Sequence, residues 1–312
     1  MSYEFDPDLA DAAPRLRPLD YADPVSARAA LRAVMSRQPG HEPVSGVLVR
    51  DRTIPGRAGG PGVVVRLYRP ADRPGPLPAL VFPHWGGFVT GDLDTADTAA
   101  TRIADLVGAV VVSPDYRLAP EHPYPAGLED CYAALEWTAA EAAALGVDAD
   151  RIAVAGFSAG GALAAGLALL ARDRTGPRVC FQYLLFPQLD DRLVTPSARS
   201  FVDTPMLDRR CLELSWGHYL GGAAASDYAA PARVADLSGL PPAFVGVCEY
   251  DPLRDEGTHY GHRLTASGVR TELVHYPGTF HGSIGLAHAA SSRRMIADQV
   301  DALRRALHPP LP

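Results

Sequence analysis

The residues of this chain best arranged for chemistry are Gly156-Phe157-Ser158-Ala159-Gly160, a G-x-S-x-G pattern set between an apolar strand and an Ala-rich helix. A strand, sharp turn and helix is the setting that a nucleophilic serine requires. A Cβ at Gly156 or Gly160 is expected to collide with the neighbouring strand or helix. The following helix supplies N–H donors and positive dipole where an oxyanion would form. Upstream, the strand ending at Pro83 runs into His84-Trp85-Gly86-Gly87-Phe88, whose adjacent glycines leave backbone N–H groups open to a ligand. Together these features suggest acyl chemistry at Ser158.

The elements that must hold these residues alternate along the chain. Strands are expected at Val63–Tyr68, Ala79–Pro83, Gly108–Ser113, Ile152–Ala155, Phe181–Phe186, Ala243–Val247 and Thr271–His275. Helices are expected near Thr95–Leu106, Leu128–Leu145, Gly160–Arg172, Glu256–Ser267 and Ser292–Leu307, with Gly146 and Gly268 where stops belong. Strands apolar on both faces and separated by helices imply a mostly parallel sheet covered on both sides. No internal repeat is evident, and one α/β domain over residues 1–312 is favoured over two. The first forty or so residues and the stretch from about 188 to 235 break the alternation. They read as helix and loop, and an insertion of that length is more often a functional lid than a structureless loop. Residues of about 1–45 and 188–235 are therefore expected to form a helical cap.

Composition narrows the function classes. Hydrophobic residues make up 47% and charged residues 21% of the 312 positions, as in ordinary globular chains. The net charge of −7 carries no basic block, which argues against a nucleic-acid partner. The acidic start shows no secretory signal and no apolar run is long enough to span a membrane, so the cytoplasm is the expected location. Cys131, Cys180, Cys211 and Cys248 have neither C-x-x-C spacing nor a disulfide-dense pattern, and read as buried hydrophobes. No cofactor and no metal is implied: His259 and His262 lie three apart on a helix, but nothing nearby completes a zinc set.

Further motifs follow in order: Tyr116-Arg117-Leu118-Ala119-Pro120-Glu121-His122, then Asp251-Pro252-Leu253-Arg254-Asp255-Glu256-Gly257, then Gly278-Thr279-Phe280-His281-Gly282. With the two glycine motifs, this ordered set resembles the bacterial hormone-sensitive lipase-like family of α/β-hydrolase esterases over nearly the whole chain. The resemblance implies an α/β-hydrolase fold, with a mostly parallel central sheet of about eight strands, flanking helices and a helical cap. It implies Ser158 as nucleophile, Asp251 as orienting acid and His281 as general base, in the usual chain order. It also implies Gly86, Gly87 and Ala159 as oxyanion N–H donors.

These roles have physical reasons. A serine hydroxyl is barely nucleophilic at neutral pH, so an imidazole must accept its proton. His281 follows the strand Thr271–His275 by a short Pro-Gly loop, which brings it to the carboxyl edge of the sheet. Asp251 follows Ala243–Val247 and can fix the tautomer. His275 is the alternative base, although it lies within a strand. Asp255 is the alternative acid, although it lies further into the next helix, where capping or pairing suits it better. The Tyr116–Ala126 segment reads as a rigid connection, with Glu121 holding the active-site loops by hydrogen bonds.

Two positions depart from the family pattern. Trp85 replaces the first glycine of H-G-G-G, and Phe157 replaces the aspartate of G-D-S-A-G-G. Trp85, Phe88, Phe157, Trp216 and Tyr219 are expected to line the substrate pocket, favouring small to medium apolar esters, acetyl esters among them. The expected activity is carboxylic ester hydrolysis through an acyl-enzyme. Acyl transfer, cyclisation or deacetylation of a biosynthetic intermediate by the same triad is the alternative, and a noncatalytic binding module on the same fold a third reading. The expected partner is a small-molecule ester, and a homodimer is left open because nothing in the sequence sets the oligomeric state.

Overall fold

The computed structural model describes residues 3–44 and 46–309. Residues 1, 2 and 45 of the expected cap and 310–312 of the expected domain lie outside the described residues. The chain opens with helices α1 (Pro7–Ala10) and α2 (Pro24–Met35). Each starts at an aspartate that accepts a backbone N–H: Asp6 from Asp8, and Asp23 from Ser26. There follow β1 (Val47–Ile54), β2 (Val63–Pro70), β3 (Leu77–Val81), α3 (Leu93–Val107), β4 (Val110–Pro114), α4 (Ala126–Ala140), α5 (Ala142–Leu145) and β5 (Val147–Phe157). The second half holds α6 (Ala159–Asp173), β6 (Phe181–Leu185), α7 (Pro196–Ser200), α8 (Arg209–Leu220), β7 (Ala243–Tyr250), α9 (Arg254–Ala266), β8 (Thr271–Phe280) and α10 (Ala290–Leu307).

The eight strands form one sheet in the order β1-β2-β4-β3-β5-β6-β7-β8. The β1–β2 and β2–β4 pairs are antiparallel, and the remaining pairs are parallel. The core strands β3, β4 and β6 are buried along their whole length, as strands covered on both faces must be. Helices α4, α6 and α9 pack on one face with Leu128, Leu167 and Leu264, while α3 and α10 cover the other with Ile103 and Leu303. Helix α6 is apolar almost all round and almost wholly buried, as a helix packed against the sheet directly after Ser158 must be.

The sequence reading identified seven of these strands and missed β1. Its residues Leu48 to Thr53 are exposed and it pairs on one side only, so it has no continuous apolar run to betray it. The expected helix Leu128–Leu145 is divided into α4 and α5, ending at Gly146 in the left-handed region. Strand β8 also runs on to Phe280 rather than stopping at His275. Its Pro-Gly step lies within the strand as an irregularity, the Gly278 N–H donating to Glu249 Oε2 at 2.7 Å. His281 thus leaves directly from a strand end.

The segment before β1 and the one between β6 and β7 carry helices outside the sheet layers, and they touch each other. Cys211 of α8 donates to the Leu19 carbonyl, and His218 Nε2 donates to the Tyr21 carbonyl at 2.8 Å. Among the described residues, no helix is long and apolar enough to cross a membrane.

Candidate active site

Parallel strands bring the carboxyl ends of β3, β5, β7 and β8 to one edge of the sheet, so loops distant in sequence converge there. Ser158 sits between β5 and α6 with φ 53° and ψ −123°, a left-handed backbone that a non-glycine residue rarely adopts. Its surroundings enforce this turn. A Cβ on Gly156 would lie 2.0 Å from the Gly160 carbonyl oxygen, and one on Gly160 would lie 2.3 Å from that of Pro83. The expected collisions are therefore real, and the second shows that α6 begins pressed against the loop leaving β3.

His281 emerges from β8 and Asp251 from β7. The Ser158 hydroxyl donates to His281 Nε2 at 3.0 Å, and His281 Nδ1–H donates to Asp251 Oδ2 at 2.7 Å. Asp251 is fully buried, and its second oxygen accepts the Leu253 N–H at 2.8 Å. The edge of the Phe186 ring meets the imidazole at 4.7 Å between centroids. The alternatives fall elsewhere: His275 is exposed on β8. Asp255 accepts the Ser197 N–H and the Arg254 guanidinium, as its position in the next helix suggested.

The loop after β3 turns on Gly86 and Gly87, with φ of 128° and 61°. The Gly86 carbonyl accepts the N–H groups of Val89 and Thr90 and the Thr90 hydroxyl, which closes a tight turn. Among the described residues, no protein acceptor receives the N–H of Gly86, Gly87 or Ala159. Beneath the turn, His84 stacks on Tyr116 at 4.1 Å, and the Tyr116 hydroxyl donates to the His84 carbonyl. Burial pushes the His84 imidazole down to about 4, so it stays neutral and serves the loop as a packed ring.

Two supporting residues carried no sequence signal of their own. Arg28 of α2 donates to the Val89 and Ala119 carbonyls and forms a two-pronged pair with Glu121. Glu121 does hold loops by hydrogen bonds, but through an arginine 93 residues away. Gln188 donates its backbone N–H to the Ser158 carbonyl and its side-chain amide to Ser215 of α8. Both depend on contacts that only folding creates.

The five aromatic residues expected around the pocket form two groups. Trp85 stacks on Phe157 at 5.4 Å, and Phe157 meets Phe82 edge-on at 5.3 Å, on the sheet face covered by α3 and α10. Phe88 stacks on Tyr219 at 3.8 Å beside Trp216, joining the turn of Gly86 and Gly87 to α8. Two clefts of about 470 and 480 Å³ lie in the helical segments. One borders Trp216 and the other opens between Phe5 and Val202, and neither is lined by Ser158, Asp251 or His281. The serine and histidine are themselves only 6% and 8% exposed. Among the described residues, no cluster of His, Cys, Asp and Glu could hold a metal.

The sequence profile of the α/β hydrolase fold matches residues 80–285, spanning the strand before the glycine turn to the loop after the histidine. The chain belongs to the α/β hydrolase fold family. Carboxylesterase NlhH of Mycobacterium tuberculosis (strain ATCC 25618 / H37Rv) is 45% identical to this hydrolase over 267 residues, 83% of each chain. An arylesterase of Saccharolobus solfataricus is 35% identical, over 71% of this chain and 72% of its own. Among solved structures, a bacterial heroin esterase superimposes with a TM-score of 0.95 at 44% identity, covering 98% of both chains. The hydrolase is accordingly a carboxylic ester hydrolase of the hormone-sensitive lipase-like kind, as its ordered motifs imply.

Proposed function

We propose that Ser158, His281 and Asp251 hydrolyse small to medium apolar carboxylic esters, acetyl esters among them, through an acyl-enzyme. The observation that carries this reading is the unbroken relay from Ser158 Oγ to His281 Nε2 and from His281 Nδ1 to Asp251. As Oγ attacks the ester carbonyl, its proton passes to Nε2, and the buried carboxylate stabilises the imidazolium so formed. The carbonyl oxygen becomes an oxyanion facing the N–H groups of Gly86, Gly87 and Ala159 at the positive end of α6. Collapse breaks the C–O bond to the alcohol, which takes the proton from Nε2. Water then gives a proton to Nε2 and attacks the acyl carbon. Release of the acid returns the proton to Oγ.

The Phe186 ring against His281 supports an apolar substrate, and the esterases among its relatives support an ester. The two helical segments act as a cap over the serine. That covering also favours a second reading, acyl transfer to an acceptor other than water, because a covered acyl-enzyme is shielded from hydrolysis. The test is the rate on p-nitrophenyl esters of increasing chain length, with Ser158→Ala as control. Short chains should be preferred, and an equally active Ser158→Ala would overturn the mechanism. Products formed with and without an alcohol acceptor separate hydrolysis from transfer.

A further inference from the structure

Helix α9 starts three residues after Asp251 and grips the inserted segment between β6 and β7 at both ends. Glu256 Oε1 accepts the N–H groups of Leu189 and Asp190 at 2.6 and 3.2 Å, where the segment leaves the sheet. Arg263 donates to the carbonyls of Ala232 and Val234, where it returns. Between these lies a tighter connection. The Ser197 hydroxyl of α7 donates to the Pro252 carbonyl at 2.9 Å and accepts the Asp255 N–H at 3.1 Å. The Ser197 N–H donates to Asp255 Oδ2 at 2.7 Å. One serine of the cap is thus bonded three times to the four residues that follow the triad acid.

The stretch these bonds hold also sets the acid. Pro252 adjoins Asp251 in the chain, and the Leu253 N–H is the donor that fixes Asp251 Oδ1. Ser197 and Leu253 are buried, so no water readily replaces a lost partner. A displaced α7 would pull on the Pro252 carbonyl, and the carboxylate would lose its line to His281 Nδ1. Arg254 strengthens the same junction, lying over the Phe201 ring at 5.1 Å while donating to Asp255 Oδ1. The D-P-L-R-D-E-G motif therefore carries the acid and also mounts the cap.

We propose that Ser197 and Asp255 are positioning residues that couple the seating of the cap to the alignment of Asp251 with His281. The proposal rests on the esterase reading above, which wild-type and Ser158→Ala rates test separately. A wild-type chain without esterase activity would count against that reading, whereas the Ser197 series bears only on the coupling. Asp251, Ser158 and the Phe186 ring face the imidazole, and Glu256 stands close enough to Asp251 to feel its charge.

The experiment measures kcat, KM and the pH profile of the full chain on p-nitrophenyl acetate and p-nitrophenyl decanoate. Ser197→Ala should lower kcat about 10-fold on both esters with little change in KM, since misalignment slows the chemical step whatever the chain length. The acid limb should move to lower pH, because a slack carboxylate supports the imidazolium less. Ser197→Thr, which keeps the hydroxyl, should restore both. Asp255→Ala should act in the same direction and serves if Ser197→Ala folds poorly. An unchanged kcat and acid limb in a folded variant would overturn the proposal. So would a rise confined to KM for the decanoate, which would leave the pair seating the cap alone.

Discussion

Trp85 stacks on Phe157 with ring centroids 5.4 Å apart and planes 25° from parallel, so the two residues that depart from the family pattern depart as a pair. By the resemblance, one stands where a glycine is usual in the turn after β3, and the other where an aspartate is usual beside Ser158. An aspartate at 157 would lie buried among Phe82, Phe186 and Trp85. A glycine at 85 would leave the face of Phe157 uncovered. In this chain each ring covers the other.

A double-mutant cycle checks this. Trp85→Gly and Phe157→Asp should each lower the melting temperature, and the cycle should show coupling of about 0.5–1.5 kcal/mol, the range for an aromatic pair beyond its buried area. Strict additivity would mean that the rings touch without supporting one another. Trp85→Gly should also broaden the chain-length preference on p-nitrophenyl esters; an identical profile would take Trp85 out of the pocket.

Asp251→Asn should keep the fold but lower kcat by about 10⁴-fold, because the amide no longer selects the tautomer that leaves Nε2 free to accept the serine proton. The measurement is kcat on p-nitrophenyl acetate, with circular dichroism to confirm folding. Activity within tenfold of wild type would point to another acid.

The Arg28 guanidinium holds the Glu121 carboxyl down at about 2, against a smaller opposing effect of burial. A carboxyl whose folded pKa lies below its unfolded value stabilises the fold above the unfolded value, here 4.5, and loses that contribution as pH falls toward about 2. The melting-temperature difference between wild type and Glu121→Gln should be present at neutral pH, narrow below about 4.5 and close toward about 2. A gap that ignores pH would show that the ion pair adds nothing beyond its packing.

Gly160 and Gly217 form a contrasting pair of helical glycines. A Cβ on Gly160 would lie 2.3 Å from the Pro83 carbonyl and 2.9 Å from that of His84, both backbone atoms that cannot swing aside, while one on Gly217 meets nothing within 4 Å. Gly160→Ala should therefore displace the glycine turn and abolish most activity. Gly217→Ala in α8 should raise stability by about 0.5–1 kcal/mol. Esterase rates and thermal melts on both variants decide it, and normal activity in Gly160→Ala would refute the close approach.

Much of this enzyme is local and hence legible in its sequence. Ser158 between an apolar strand and an apolar helix, the paired glycines and the order of the later motifs depend on residues adjacent in the chain, as does the alternation that implies a parallel sheet. Edge strand β1 escaped because a strand paired on one side and exposed on its faces needs no apolar run. The aromatic residues escaped in another way: their types were visible, but only packing divided Trp85 and Phe157 from Phe88, Trp216 and Tyr219. Arg28 with Glu121, and Ser197 with Asp255, are joined across 93 and 58 residues. The sequence by itself determined the fold class and the reaction class, since the alternation of strands and helices is a short-range pattern and the ordered motifs carry the resemblance to esterases. The tertiary structure alone decided which distant side chains hold the turn of Gly86 and Gly87 and the stretch after Asp251, because hydrogen bonds across such separations exist only once the chain has folded around them.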